Sequence, residues 1–391
     1  MNIILFDFPK YRNQLKPATL TRPIGKIRIG ILTIDEKWQN YINSQTSFLT
    51  EPYLSHKYSP KYQEENIYIN ASFLPNRAFL KAIMTLQNNE SLWNNDDLIA
   101  VKSNKQLSYD FSFNDFLQIQ FASAVSSITE LPHLFLNNGN QIESDYELIT
   151  NSRKSSELKD KFSAVYSPEN IFIEEGANIR ASTLNAENGP IYIGKNATIQ
   201  EGSIVIGPVA ICNDTMVAFG AKIRPNTTLG PFSRVGGEVG NTIFQSYSNK
   251  AHDGYLGNSY IGEWCNLGAN TNNSNLKNDY KSVKLHNYNT NTLYDTKEIF
   301  CGTFMGDYTK TGISTMFNTG TVIGVCSNVF GPGFQDKFIP SFTWGGKSEG
   351  TEKYRFLKAL EVIQATLERK EMVLPEEDLR ILEFISQNQN L

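Results

Sequence analysis

The 391-residue chain has few cysteines, few histidines and no long apolar run. Its four cysteines, Cys212, Cys265, Cys301 and Cys326, form no C-x-x-C spacing, so reduced, buried thiols are expected and a disulfide framework is not. No stretch approaches 18 apolar residues, so no membrane-spanning helix is expected. The start, MNIILFDF, has no basic segment and a short apolar run; it reads as a buried strand, not a signal peptide, in a cytoplasmic protein. Basic residues are not in excess: 36 Lys+Arg face 40 Asp+Glu, net charge -4. That argues against nucleic acid or a membrane surface as partner. Glycine is scarce at both ends. Of 27, only Gly25, Gly30 and Gly139 precede residue 165, and none follows Gly350.

What is present in the middle is a beat of six. Ile193, Ile199, Val205, Ile211, Val217, Ile223, Leu229 and Val235 are spaced six apart. Small residues follow four positions on, at Ala197, Ser203, Thr215, Ala221, Thr227 and Ser233, with Val209 the loosest fit. Ile173 and Ile179 start the series early. Ile261 and Leu267 continue it, and Ile299, Met305, Thr311, Phe317, Ile323 and Val329 form a second run. Six is neither the helical 3.6 nor a plain alternation. Each hexad supplies a short strand and a turn, and three hexads close a triangular coil with the aliphatic inside. A parallel β-helix is predicted.

The beat fails twice, around 240–258 and 270–297. Both are expected to leave the coil as loops, where function tends to sit. Only two of the four histidines, His252 and His286, lie in this domain. A neutral imidazole can take a proton from an attacking amine or hydroxyl near pH 7. The plain alternative for His252 is a loop residue without a role. A zinc site of three histidines is not available, and no metal site is expected in this domain.

The segment KAHDGYLGNSYIGEWCNLGANTNNSNLKNDYKSV resembles the acetyltransferase domain of the bifunctional enzymes that make UDP-N-acetylglucosamine. The chain is still more similar to their shorter Bacteroidetes-type relatives, which share LTRPIGKIRIGILTIDEKW, SNLKN, TMFNTGTVIG and PSFTWGG. The resemblance implies left-handed winding and acetyl-CoA as cosubstrate. It implies His252 as the base that deprotonates a sugar amine, with Asn275 positioning the base or the acetyl group. It places Arg224, Tyr255, Asn266 and Lys281 on the amino-sugar phosphate, and Ala269 and Thr303 along the acetyl-CoA groove. A guanidinium fork suits Arg224 to phosphate; otherwise it is a solvent-facing turn residue, and the asparagines are turn filling. The family's phosphate-binding lysine after the position of Glu238 is absent from GGEVGNTIF, and Lys250 is the candidate replacement. The family is trimeric, with active sites between prisms, so a homotrimer is expected.

Residues 1–160 read as an α/β layer, with strands at 2–6, 27–34 and 67–69 and helices at 76–86 and 111–125. RNQLKPATLTRPIGKIRIG resembles a sugar-nucleotidyltransferase stretch. Yet LFDFPKYR lacks the glycines that let backbone approach phosphate, and Ile69-Asn70-Ala71 lacks the family's Mg²⁺-binding acid. Arg12, Arg22 and Arg28, with Lys26, form a basic cluster that could hold a nucleotide such as UTP. The expectation is a reduced transferase fold without standard uridylyl transfer, or a structural cap. The tail predicts helices at 351–371 and 375–387.

The expected architecture is an α/β nucleotidyltransferase-like domain (1–160), a left-handed β-helix (161–346) and a helical tail (347–391). The expected function is acetyl-CoA-dependent N-acetylation of an amino-sugar phosphate such as glucosamine-1-phosphate. Mg²⁺ enters only if the first domain is active. The alternatives are a UTP-dependent nucleotidyltransferase with the β-helix as an oligomerisation scaffold, and a non-catalytic sugar-nucleotide-binding protein.

Overall fold

A computed structural model describes residues 2–388. The first domain is a mixed six-stranded sheet with strand order β2-β1-β3-β5-β4-β6. Its strands are β1 (Asn2–Phe6), β2 (Thr46–Leu49), β3 (Asn66–Asn70), β4 (Glu90–Asn94), β5 (Asp97–Ser103) and β6 (Leu117–Gln120). Its helices are α1 (Pro9–Gln14), α2 (Ile34–Ile42), α3 (Arg77–Thr85) and α4 (Pro132–Thr150). The first and third expected strands and the helix at 76–86 are present.

Two expectations fail. Residues 27–34 alternate like a strand, but Gly30 takes φ +76° and turns the chain, and α2 begins at Ile34. The turn wraps the Asp145 carboxylate, which accepts from the Ile31 and Leu32 N–H groups (2.8 and 3.0 Å). A Cβ on Gly30 would lie 2.5 Å from that carboxylate, so only glycine fits. Residues 111–125 form no helix. Phe111 packs edge-on against Phe6, Phe113 against Trp93, and β6 pairs with β4.

Residues 164–346 form a parallel β-solenoid of about ten turns. Three flat faces repeat. The first face runs through residues 183–185, 204–206, 222–223, 238–240, 255–257 and 272–273. The second runs through 191–193, 209–211, 227–229, 243–244, 260–261 and 304–305. The third runs through 198–199, 216–217, 234–235 and 249–250. The eight in-phase aliphatics from Ile193 to Val235 all point inward, at most 1% exposed. Ile299 does not; it is 45% exposed, outside the coil.

The first apparent break is not a loop. Ile211 pairs with Leu229, 18 residues on, but Thr228 pairs with Ile243 and Val235 with Lys250, 15 on. Shortened corners change the beat while the ladder stays whole. The second break is a true excursion. Tyr260 pairs with Phe304, and the intervening chain leaves after Ser274 to form a hairpin of Lys284–Asn287 and Thr292–Asp295.

The outer side of the second face is covered by the first domain. Ala210, Thr228, Ile243, Tyr260, Phe304 and Val322 are all fully buried there, and α4 lies across these strands. Ile243, Tyr260 and Phe304 join Ile3, Leu5 and Trp38 in one core. The tail forms α5 (Phe356–Glu368) and α6 (Glu376–Gln387); 351–353, expected as helix, lies in the antiparallel strand Gly350–Lys353. The tail helices pack on Trp264, Cys326 and Phe342, near the edge of the third face. The first face stays open. No helix among the described residues is long and apolar enough to cross a membrane, and all four cysteines are free and buried.

Candidate functional site

The open first face gathers most of the expected site. Tyr255 stands on it, in register with Glu238 one rung below. Asn275 donates from Nδ2 to the Tyr255 hydroxyl (2.9 Å) and to Asn258 Oδ1 (2.7 Å). Arg224 pairs with Glu238 at 3.1 Å. Its guanidinium is 55% exposed, and such a surface pair is worth about 0–1 kcal/mol. A phosphate can therefore displace the glutamate cheaply. Two glycines in outward strand positions leave room for these groups. A Cβ on Gly257 would lie 2.2 Å from the Tyr255 hydroxyl and 3.0 Å from Asn275 Nδ2. A Cβ on Gly240 would meet the Arg224 stem at 3.0 Å. The result is a shallow trough with an arginine, a phenol and an amide along it. Burial raises the Tyr255 phenol above its ordinary pKa, so it stays protonated.

His252 lies exposed in the corner between the third and first faces, three residues before Tyr255. Its imidazole makes no hydrogen bond or ion pair among the described residues. Ala269 occupies the same corner one rung up, where the Asn270 N–H donates to the Asp253 carbonyl (3.0 Å). His286 is the opposite case. It stacks on Phe338 at 3.5 Å between centroids, and burial lowers its pKa. Of the two histidines in the repeat, one is packed and one is free.

Three expected residues lie elsewhere. Asn266 sits on the third face, where Asn249 Nδ2 donates to its Oδ1 (2.7 Å). Lys281 is exposed in the excursion and pairs with Asp279 at 3.3 Å. Thr303 is fully buried in the second face and offers no surface to a groove of this chain.

Lys250 does not replace the missing phosphate lysine. It is 1% exposed and stands where the pattern puts an aliphatic, as register partner of Val235. Its Nζ donates to the carbonyls of Gly236 (3.0 Å), His252 (3.1 Å) and Gly254 (2.7 Å). It ties the His252 corner from inside the prism. Burial pushes its pKa down to about 8. Its inward place shows only in the ladder, 15 residues after Val235, where the six-residue count has already failed.

The arginines of the first domain are internal. Arg12, fully buried, donates to Asp7 (2.7 Å) and to the Thr19 carbonyl. Arg22 binds Asp307 and Glu263 of the solenoid, and Arg28 donates from Nε to the Gln245 carbonyl (3.0 Å). Arg22 and Arg28 fasten the two domains and Arg12 is held within the first, so burial and pairing leave no open basic cluster for the nucleotide expected there. Asp7 also accepts from Thr50 (2.5 Å) and the Ile24 N–H (2.9 Å). Asn70 accepts from the Ser72 N–H and donates to the Leu98 carbonyl. A cleft of about 230 Å³ beside Asp7 is lined largely by aromatics, including Phe8, Tyr109, Phe111 and Phe113. Asp7 is committed to three donors, which leaves Asp110 as the other carboxylate lining the cleft; the rest of the wall is mostly aromatic, a poor match to the oxygen ligands of a divalent cation. No metal-holding cluster occurs among the described residues.

Residues 3–154 match the family model described as "Sugar nucleotidyl transferase". The chain is 39% identical over 106 residues to "Bifunctional protein GlmU" of Methanocaldococcus jannaschii, covering 27% of this chain and 25% of that protein. It is 30% identical over 144 residues to "Bifunctional sugar-1-phosphate nucleotidylyltransferase/acetyltransferase" of Sulfurisphaera tokodaii, covering 36% and 35%. The matches thus span about a quarter to a third of these relatives. An Arabidopsis UDP-N-acetylglucosamine acyltransferase structure aligns at 14% identity over 59% of this chain and 90% of that one, TM-score 0.28. The homology to bifunctional nucleotidyltransferase/acetyltransferase proteins is therefore partial in length and moderate in identity.

Proposed function

We propose that the protein transfers an acetyl group from acetyl-CoA to the amine of a sugar phosphate of the glucosamine-1-phosphate kind. The observation that carries this is the open first face. Arg224, Tyr255 and Asn275 line a glycine-floored trough there, and an unengaged His252 stands at its edge. His252 accepts a proton from the acceptor amine as its nitrogen attacks the thioester carbonyl. The C–S bond breaks, the amide C–N bond forms, and the proton passes to the departing thiolate. Arg224 exchanges Glu238 for the phosphate, and Tyr255 and Asn275 orient the ring. A left-handed coil and a homotrimer belong to the same reading. A neighbouring copy's third face could then bring Asn266, which stands apart from the trough within one chain, to the site.

The test is release of free CoA thiol with glucosamine-1-phosphate as acceptor. His252→Ala is expected to lower kcat about 10²–10⁴-fold. A variant as fast as the parent removes His252 from the reaction; no turnover with any amino sugar removes the reading itself. The family match over 3–154 supports a second reading, nucleotidyl transfer by the first domain. Pyrophosphate release from UTP and a sugar-1-phosphate would establish it, against the committed Asp7 and Arg12.

A further inference from the structure

The third face carries a cleft that the trough does not use. Its volume is about 540 Å³, and it lies between the solenoid and α5 with the turn that follows. Four cations line it: Arg234 and Lys310 from the solenoid, Arg369 and Lys370 from the end of α5. No acidic side chain lines it, in a chain of net charge -4. None of the four makes an ion pair or a side-chain hydrogen bond among the described residues. Lys310 is the most telling. It lies beneath α5 beside Cys265 and Cys326, where burial lowers its pKa. A desolvated ammonium without a counter-charge is costly, and an anion in the cleft would supply one.

One stretch of the remaining wall is a stack of three aromatic side chains. Tyr247 stacks between Phe232 and Trp264, with ring centroids 4.7 and 4.4 Å apart. All three hold left-handed backbone, φ 61°, 52° and 58°. Aromatic residues rarely accept that strain. In the same column of corners the ordinary occupants Asn196 and Asp214 stand lower down. Val362 and Ala365 of α5 face this wall across the cleft.

We propose that the cleft binds a nucleoside polyphosphate, its phosphates among Lys310, Arg234, Arg369 and Lys370 and its base against the Tyr247–Trp264 wall. Two sources share this chemistry: the phosphorylated adenosine end of an acyl-carrying coenzyme, and a free nucleotide. Asn249 and Asn266 line the cleft and precede the corners that carry His252 and Ala269. A coenzyme anchored by its phosphates could therefore extend its thioester toward His252. That extension rests on the proposed acetyl transfer; the phosphate site does not.

The experiment is calorimetric titration of the whole chain with CoA, ADP and UDP at low and raised salt. Lys310→Met and the double variant Arg369→Gln/Lys370→Gln are each expected to weaken binding about tenfold or more, and salt to weaken it in the parent. Lys297→Gln, which removes a cation from the exposed end of the hairpin and away from the cleft, should bind as the parent does, whether or not acetyl transfer is found. Preference for CoA identifies the coenzyme, and equal affinity for ADP the free nucleotide. No binding of the three, or binding that neither variant weakens, overturns the proposal. Arg369 and Lys370 are exposed at a helix end, so their replacement leaves the fold intact.

Discussion

Each half of the molecule holds an arginine–carboxylate pair beside a crevice or trough, and the two are built oppositely. Arg12–Asp7, beside the crevice of the first domain, is wholly buried, and both partners have further hydrogen bonds. Arg224–Glu238, on the first face of the solenoid, is half exposed, over a floor of glycine. A buried pair cannot release its arginine to a substrate without stranding a charge. An exposed pair can. The same two residue types therefore form a rivet in one place and an exposed, exchangeable pair in the other.

The sharpest break of this comparison is to remove both arginines separately. Arg12→Met leaves Asp7 buried without its counter-charge and should cost about 3–5 kcal/mol in denaturant unfolding. Acetyl transfer per folded molecule should stay at the parent rate. Arg224→Met should change stability by no more than about 1 kcal/mol and raise the acceptor KM. Equal stability losses in the two variants would erase the distinction.

Gly257→Ala probes the floor of the trough. The added methyl would meet the Tyr255 hydroxyl at 2.2 Å, so the phenol and the Asn275 amide must move. The acceptor KM should rise about tenfold, the loss of roughly one hydrogen bond to a charged group, while KM for acetyl-CoA holds. A variant with unchanged acceptor KM would show that the trough does not bind the sugar.

The six-residue beat made the inward positions of the solenoid legible, because an aliphatic inside a prism has only one place to go. It misled where the corners shorten. Moving from 18 to 15 residues per turn breaks the count at 240–258 without breaking the ladder. The outward positions were less legible, since docking decides them. Phe304 and Tyr260 are apolar on the outside because the first domain covers them, which no local period encodes. In the first domain, T-I-D-E at 33–36 is a capping box, with the Thr33 N–H donating to Glu36 at 2.8 Å. The alternation of 27–34 hid it, and the turn at Gly30 depends on Asp145, more than a hundred residues away. His252, Tyr255, Arg224 and Asn275 were legible through resemblance, and the fold then brought three of the four onto one trough.

Lys250 gives the finest test, because it belongs to neither kind of pair. It is a cation held inside the prism by carbonyl oxygens alone, directly behind the His252 corner. Lys250→Met keeps the volume and removes the three contacts. An apolar replacement of a buried charge is often close to neutral, so stability at pH 7 should change by about 1 kcal/mol or less. The pH dependence separates the two proteins. The folded-state pKa is about 8, and the unfolded value is about 10.4. Between these values the unfolded chain binds more protons, so this residue makes the parent gain stability as pH rises. Well below pH 8 it contributes almost no slope. The difference in unfolding free energy between parent and variant should therefore be flat from pH 6 to 7.5 and shift in favour of the parent by pH 9.5. At neutral pH, acetyl transfer should fall less than in His252→Ala, because the imidazole is kept and only its backbone support is lost. A flat difference at all pH values would mean that the ammonium is not inside the prism.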